Sequence, residues 1–222
     1  MSYANEERIY KEIKLAIIQQ KLRPNIKLVE DEIAESFGVS RTPVRNVFKR
    51  LAYEKLLTII PNKGTFVSSP TVEEAREVFE VRRVLESTAI EQACRNLTGA
   101  DSEQLKSMIE EEHDAHVRED YFATLSISMD FHLKIAEIAG NSIVHRYLEE
   151  LSSLTYVIIA LYGYKNLRLC RNDEHLSILE ALKQRDRELT KQLVIEHLTH
   201  IEQSLDFEEG SAAPLSFSEI FK

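Results

Sequence analysis

Residues 28–67 read LVEDEIAESFGVSRTPVRNVFKRLAYEKLLTIIPNKGTFV, and this stretch decides the fold. Leu28, Ile33, Ala34 and Phe37 recur at helical spacing, and Gly38 ends that helix as a residue free to take a positive φ. Ser40 is a good N-cap for the helix that follows. That helix places Val44, Val47, Phe48 and Leu51 on one side and Arg41, Arg45 and Lys49 on the other. The three cations fall along one ridge, where they can reach phosphates and guanine edges in a major groove. Beyond it, the β-branched runs LLTII and GTFV flank Pro61-Asn62-Lys63-Gly64, a hairpin signal. Helix, turn, basic helix and basic hairpin in that order predict a winged helix-turn-helix. A solvated basic helix beside an ordinary hairpin is the plainer alternative.

Charge supports the DNA reading once the chain is divided. The whole chain has a formal net charge of −9, which by itself argues against a nucleic-acid binder. Residues 1–70 hold 12 Lys and Arg against 8 Asp and Glu, a net +4, whereas residues 71–222 hold 16 against 29, a net −13. A basic head on an acidic body suits a DNA reader whose body stays off DNA.

From residue 71 onward the pattern is helical throughout. Helices are expected over about 72–95, 101–117, 120–138, 142–163, 168–184 and 186–206, after a first helix over 6–22. Ile9, Tyr10, Ile13, Ala16 and Ile17 face inward on that first helix. Gly140-Asn141 is the strongest stop signal, and Ser142 is the expected cap of the next helix. The expected fold is therefore mainly α: an N-terminal winged helix-turn-helix over 1–70, an all-α six-helix bundle over 71–208, and a loosely ordered tail over 209–222. No run of about 18 apolar residues predicts a membrane span, and the charged N-terminus lacks an apolar signal core. A cytoplasmic protein is expected, with Cys94 and Cys170 as free thiols.

Three histidines sit where amphipathic helices should turn apolar residues inward. His132 lies with Leu125, Ser128, Ile135, Ala136 and Ala139; His175 with Ile178, Leu179 and Leu182; His197 with Leu193, Val194 and Ile201. One such histidine is usually a hydrogen-bonded core residue. Three on three helices each carry a desolvation cost, which convergence on one divalent ion would relieve, since neutral imidazole is a preferred ligand of Zn and Ni. The pair His113 and His116 lies in EEEHDAHVRED, read as a solvated acidic face. Arg82 is the other inward polar residue, within Ala75, Val78, Leu85 and Ala89. It requires an anion: either an intramolecular Glu or an effector carboxylate held by its fork of N–H groups.

The string Gly38-Val39-Ser40-Arg41-Thr42-Pro43-Val44-Arg45, with Leu28, Glu32-Ile33-Ala34, Leu56-Leu57 and Asn62-Lys63-Gly64-Thr65-Phe66-Val67, resembles the DNA-binding domain of GntR-family bacterial transcription regulators. The resemblance implies DNA contacts by Arg41 and Arg45, phosphate or base contacts by Ser40 and Thr42, and a wing at Lys63-Gly64 entering the minor groove. Lys49, by its place on the ridge, joins this set. Asn25 and Lys55 stand where the family usually has Gly. Residues 72–206 resemble the FCD ligand-binding domain of the FadR subfamily, in its smaller VanR-like form. The matching strings are Phe79-Glu80-Val81-Arg82-Arg83-Val84-Leu85-Glu86, Phe131-His132 with Ala139-Gly140-Asn141, and Glu174-His175 through Leu182 to His197. This resemblance implies a metal site at His132, His175 and His197, with Ser128 in place of the usual Asp ligand, and an organic-acid effector near Arg82.

The expectation is thus an effector-responsive transcription regulator, not an enzyme and without catalytic residues. It would bind a palindromic double-stranded operator as a homodimer, since one recognition helix reads few base pairs, and would hold a divalent metal ion, Zn or Ni. Two rivals stand beside it. One is a metal sensor in which the ion is the signal. The other is a three-histidine metalloenzyme, which would need a general base; Glu174, next to His175, is expected to point elsewhere.

Overall fold

The computed structural model describes residues 2–19, 21–163 and 172–207. The chain divides into two compact units. The first comprises the described part of Met1–Thr71 and Ser153–Tyr162, with Phe207; the second comprises Val72–Ser152 and the described part of Gly163–Asp206. The boundary at residue 71 lies where composition changes. The place of Ser153–Tyr162 in the first unit has no signal in the sequence: Val157 is fully buried in that unit's core, with Ile9, Ile13, Phe48 and Leu51.

In the first unit, α1 (Ser2–Ile18) precedes β1 (Lys27–Leu28), α2 (Glu30–Phe37), α3 (Arg41–Tyr53), β2 (Leu57–Ile60) and β3 (Gly64–Val67). The strands form one antiparallel sheet in the order β1-β3-β2, with Leu28 opposite Thr65 and Ile59 opposite Thr65 on the other edge. The expected winged helix-turn-helix is present. Leu28 is a correction: it belongs to a strand, not to α2, and from there it is buried in this unit's core. Gly38 ends α2 at φ 64°, with its N–H on the carbonyls of Ala34 and Glu35. Ser40 sits at the N-cap position of α3 in extended conformation, but its side chain makes no capping hydrogen bond. The helix is instead held by burial of Val44, Val47, Phe48 and Leu51.

Asn25 and Lys55 both adopt left-handed backbone, at φ 65° and 61°. These are the two positions where the resemblance leads one to expect glycine, so the turns keep the shape that glycine serves and accept its absence. Gly64 shows the opposite case. Its φ is 118°, a backbone conformation that side chains rarely adopt, and a Cβ there would also displace the flexible end of Lys27, whose Cε would lie 2.9 Å away.

The second unit is built from α4 (Val72–Asn96), α5 (Gly99–Val117), α6 (Tyr121–Ala139), α7 (Ser142–Tyr162, its last turns counting with the first unit), α8 (Asn172–Lys183) and α9 (Arg187–Gln203). All six expected helices are present. The α8 start expected near 168 lies outside the described residues, as do the tail over 209–222 and Cys170. Gly140 ends α6 at φ 78°. The cap of α7 is Asn141 rather than Ser142, its Oδ1 accepting from the N–H groups of Ile143 and Val144 at 3.1 and 3.2 Å. A single core contains Ile90, Cys94, Leu105, Phe131, Ile135, Leu148, Ile178, Leu182, Val194 and Leu198. No helix among the described residues is long and apolar enough to cross a membrane.

Candidate functional site

The basic ridge of α3 is exposed as its spacing requires. Buried Val44, Val47 and Leu51 turn the opposite side outward, leaving Arg41, Thr42, Arg45 and Lys49 in solvent with Ser40 just before them. Lys63 is exposed at the wing, next to Gly64. Two of the ridge cations are already paired with acids of the first turn of α2. Arg45 Nε and Nη2 donate to the two carboxylate oxygens of Glu30 at 3.0 and 2.7 Å. Arg41 pairs with Asp31. The Glu30 carboxyl is held below its usual range by the hydrogen bond from Arg45, with the charges of Arg41 and Lys49 adding to it.

The second unit brings His132 of α6, His175 of α8 and His197 of α9 together. One ring nitrogen of each lies within 4.8 Å of the others. The Nε2 of His175 is 3.3 Å from that of His132 and 3.2 Å from that of His197. All three rings are buried, and the Phe131 ring lies 4.6 Å from that of His175, tilted by 32°.

Behind each ring stands a carboxylate. Glu86 of α4 is 2.7 Å from His132 Nδ1, Glu112 of α5 is 2.7 Å from His175 Nδ1, and Glu174 is 2.7 Å from His197 Nδ1. Glu174 also meets exposed His200 at 2.9 Å. Two expectations are corrected here. Glu174 points into the cluster, as an acceptor for His197. The acidic face of α5 is not wholly solvated, for Glu112 is buried beside Ile109 and Ala115.

Electrostatics defines what this arrangement can do. Burial holds His132 in its neutral form against the pull of Glu86. Burial and the neighbouring His175 push His197 down to about 3. Burial would raise Glu86, but Arg82 and His132 bring its carboxyl down to about 2. Burial would likewise raise Glu174, but the ring N–H groups of His197 and His200 bring it to about 2. With their Nδ1 atoms on carboxylates, neutral His132 and His197 both turn Nε2 lone pairs toward Nε2 of His175. A cation relieves this. For Zn–N bonds of about 2.0–2.1 Å, tetrahedral ligand nitrogens stand about 3.3 Å apart, which the two short Nε2 separations match. Charge agrees: a cation between the rings would have an acidic side chain behind each of them. The residues present fit a divalent metal ion, and a carboxylate behind each histidine is the arrangement that orients such ligands.

Arg82 is wholly buried, and its Nε donates to Glu86 at 2.9 Å. Its fork is thus engaged by an intramolecular Glu, the first of the two anions the sequence allowed. Through Glu86 it holds His132. Arg83 pairs with Glu202 at 2.6 Å. Ser128 is buried on α6 one turn before His132. The space between Glu86, Ala89, Ile90, His132, Ile135, Leu148 and Val194 has no room for a water molecule. Glu86 was readable from sequence, four residues after Arg82 in the same inward stripe. Glu112 and Glu174 carried no such signal.

Comparison with known proteins follows the same division. The FCD domain matches residues 77–200, and the bacterial regulatory proteins of the gntR family match residues 5–67. The chain is 27% identical over 198 residues to the uncharacterized HTH-type transcriptional regulator YdhC of Bacillus subtilis, covering 87% of each. It is 24% identical over 200 residues to the HTH-type transcriptional repressor RspR of Escherichia coli, covering 90% of this chain and 88% of that one. Among solved structures, E. coli McbR/YncC matches with a TM-score of 0.76 at 24% identity, over 88% of this chain and 93% of that one. At that identity the likeness shows the fold alone.

Proposed function

Because this chain belongs to the FCD-domain regulators of the gntR family, we propose that its second unit answers a small organic acid bound at a divalent metal ion, Zn or Ni. The chain is a DNA-binding transcription regulator with an FCD effector-binding domain, and its relatives are regulators, not enzymes. What is proposed is the chemistry of the signal. The observation that carries it is the convergence of three Nε2 atoms with a carboxylate behind every ring. An ion bound there would supply a Lewis-acidic position for an oxygen ligand.

The residues do the rest. Glu86, Glu112 and Glu174 fix the tautomer and direction of the three rings. Arg82 keeps Glu86 ionised in the interior. Ser128, smaller and neutral where the family's Asp would stand, leaves a coordination position for the effector. That effector enters only if the side chains around Glu86 and His132 part, and a ligand that favours the parted arrangement shifts the equilibrium between two states. Glu86 is the natural pivot, since an incoming carboxylate competes with it for Arg82. We further propose that the regulator works in the cytoplasm as a homodimer on a palindromic operator, reading it with Arg41 and Arg45, with Lys49 on phosphate, Ser40 and Thr42 on phosphate or base edges, and the wing at Lys63-Gly64 in the minor groove.

Thermal unfolding of the full chain against a panel of organic acids, with and without Zn or Ni, tests the proposal. Acids that raise the midpoint only in the presence of metal support it, because binding to the native state alone stabilises. Stabilisation by the metal with no response to any acid favours the ion itself as the signal.

A further inference from the structure

The ion pair between α2 and α3 runs against the demands of affinity. Glu30 and Asp31 place two carboxylates beside the cations that face DNA. Phosphate binding gains from every cation and loses from every nearby anion. The pair contributes little to the fold, for the Arg45 and Glu30 side chains are 55% and 31% exposed, and exposed pairs add little stability. Its geometry is nevertheless specific. Glu30 takes the Nε and Nη2 edge of Arg45 with both oxygens. Of the three N–H groups left over, one of Nη1 and the second of Nη2 point parallel from the end of the guanidinium. That pair matches two acceptors side by side, which in the major groove are guanine O6 and N7.

We propose that Glu30 is a specificity-determining positioning residue, which holds Arg45 end-on for a guanine and opposes its use on phosphate. Specificity is a difference of affinities, and Glu30 acts on both sides of it. It lowers binding to unselected DNA by its charge, and it spares the matched site by having already ordered the side chain that reads it. The inference rests on Arg45 facing bases, as proposed above.

The test is selection from a pool of randomised duplexes by the full chain, its Glu30→Gln, Glu30→Asp and Arg45→Ala variants, followed by affinity and salt titration against the selected and the unselected DNA. The wild-type chain is expected to enrich one guanine per half-site. Glu30→Gln loses that preference, binds the unselected pool more tightly with a steeper salt dependence, and lowers the ratio of selected to unselected affinity by about tenfold, as expected for a bidentate base contact. Glu30→Asp keeps the charge but draws the carboxylate back by one methylene. It loses the preference without the gain on unselected DNA. The proposal is overturned if Glu30→Gln enriches the same guanine with the same ratio, or if Glu30→Asp behaves as wild type, since charge alone would then suffice. If Arg45→Ala retains the guanine, Arg45 is not its reader and the role of Glu30 falls with it. If Arg45→Ala loses the guanine and Glu30→Gln keeps it, the base-reading role stands and only the role of Glu30 is excluded.

Discussion

Glu112 Oε2 lies 2.7 Å from His175 Nδ1, and this commits that nitrogen to donating and turns Nε2 toward His132 and His197. The Glu86–His132 contact has the same length and the same effect, but Glu86 also carries Arg82. The two carboxylates should therefore respond differently to removal of their charge. Glu112→Gln should weaken metal binding about 10- to 100-fold while leaving the fold nearly as stable. Glu86→Gln should do the same to the metal and also strand a buried guanidinium, lowering stability by about 3–5 kcal/mol. Competition with a chromogenic chelator reads the first quantity and denaturant unfolding the second. Equal stability of the two variants would remove Arg82 from the account.

Ser128→Asp should restore a carboxylate one turn before His132. Metal affinity should rise, and the metal-free protein should lose stability, since a further carboxylate joins the acidic side chains behind the rings. The metal-induced gain in melting temperature should widen, and the effector response should shrink as its coordination position fills. A variant with unchanged metal affinity would place Ser128 out of reach of the ion.

These roles differ in how far the sequence exposes them. The winged helix was legible because Arg41, Arg45 and Lys49 repeat at helical spacing opposite a buried stripe, and because Gly38 and Gly64 stand where left-handed backbone is needed. The histidines were legible because each interrupts an apolar face. Leu28 misled because it is apolar just ahead of the α2 stripe, although five residues before Ile33 is off that face of a helix, and its strand partner Thr65 is far along the chain. Glu112 looked like one acid among many in EEEHDAHVRED, because the histidine that requires it is 63 positions further on. Glu174 is readable only from the fold, where α8 and α9 bring it to His197.

Lys49→Ala should weaken binding to every duplex alike and lower the salt slope by about one phosphate contact, roughly 0.9. Filter binding at several salt concentrations measures it. A loss confined to one sequence would make Lys49 a base reader.

The full chain should sediment as a dimer at micromolar concentration, because a single recognition helix reads too few base pairs for a unique operator. Its selected DNA should show two inverted half-sites about one helical turn apart. A monomer by ultracentrifugation, or a single unrepeated half-site, contradicts this arrangement.

The central claim is that His132, His175 and His197 are ligands and not merely packed core residues. The most direct measurement is calorimetric titration of the chelator-treated full chain with Zn and with Ni, alongside His175→Ala. The account predicts one ion bound per chain in the wild type and none at this site in the variant. If the wild type takes up no divalent ion, while remaining folded by circular dichroism, the three histidines are structural and the metal-centred signal is wrong.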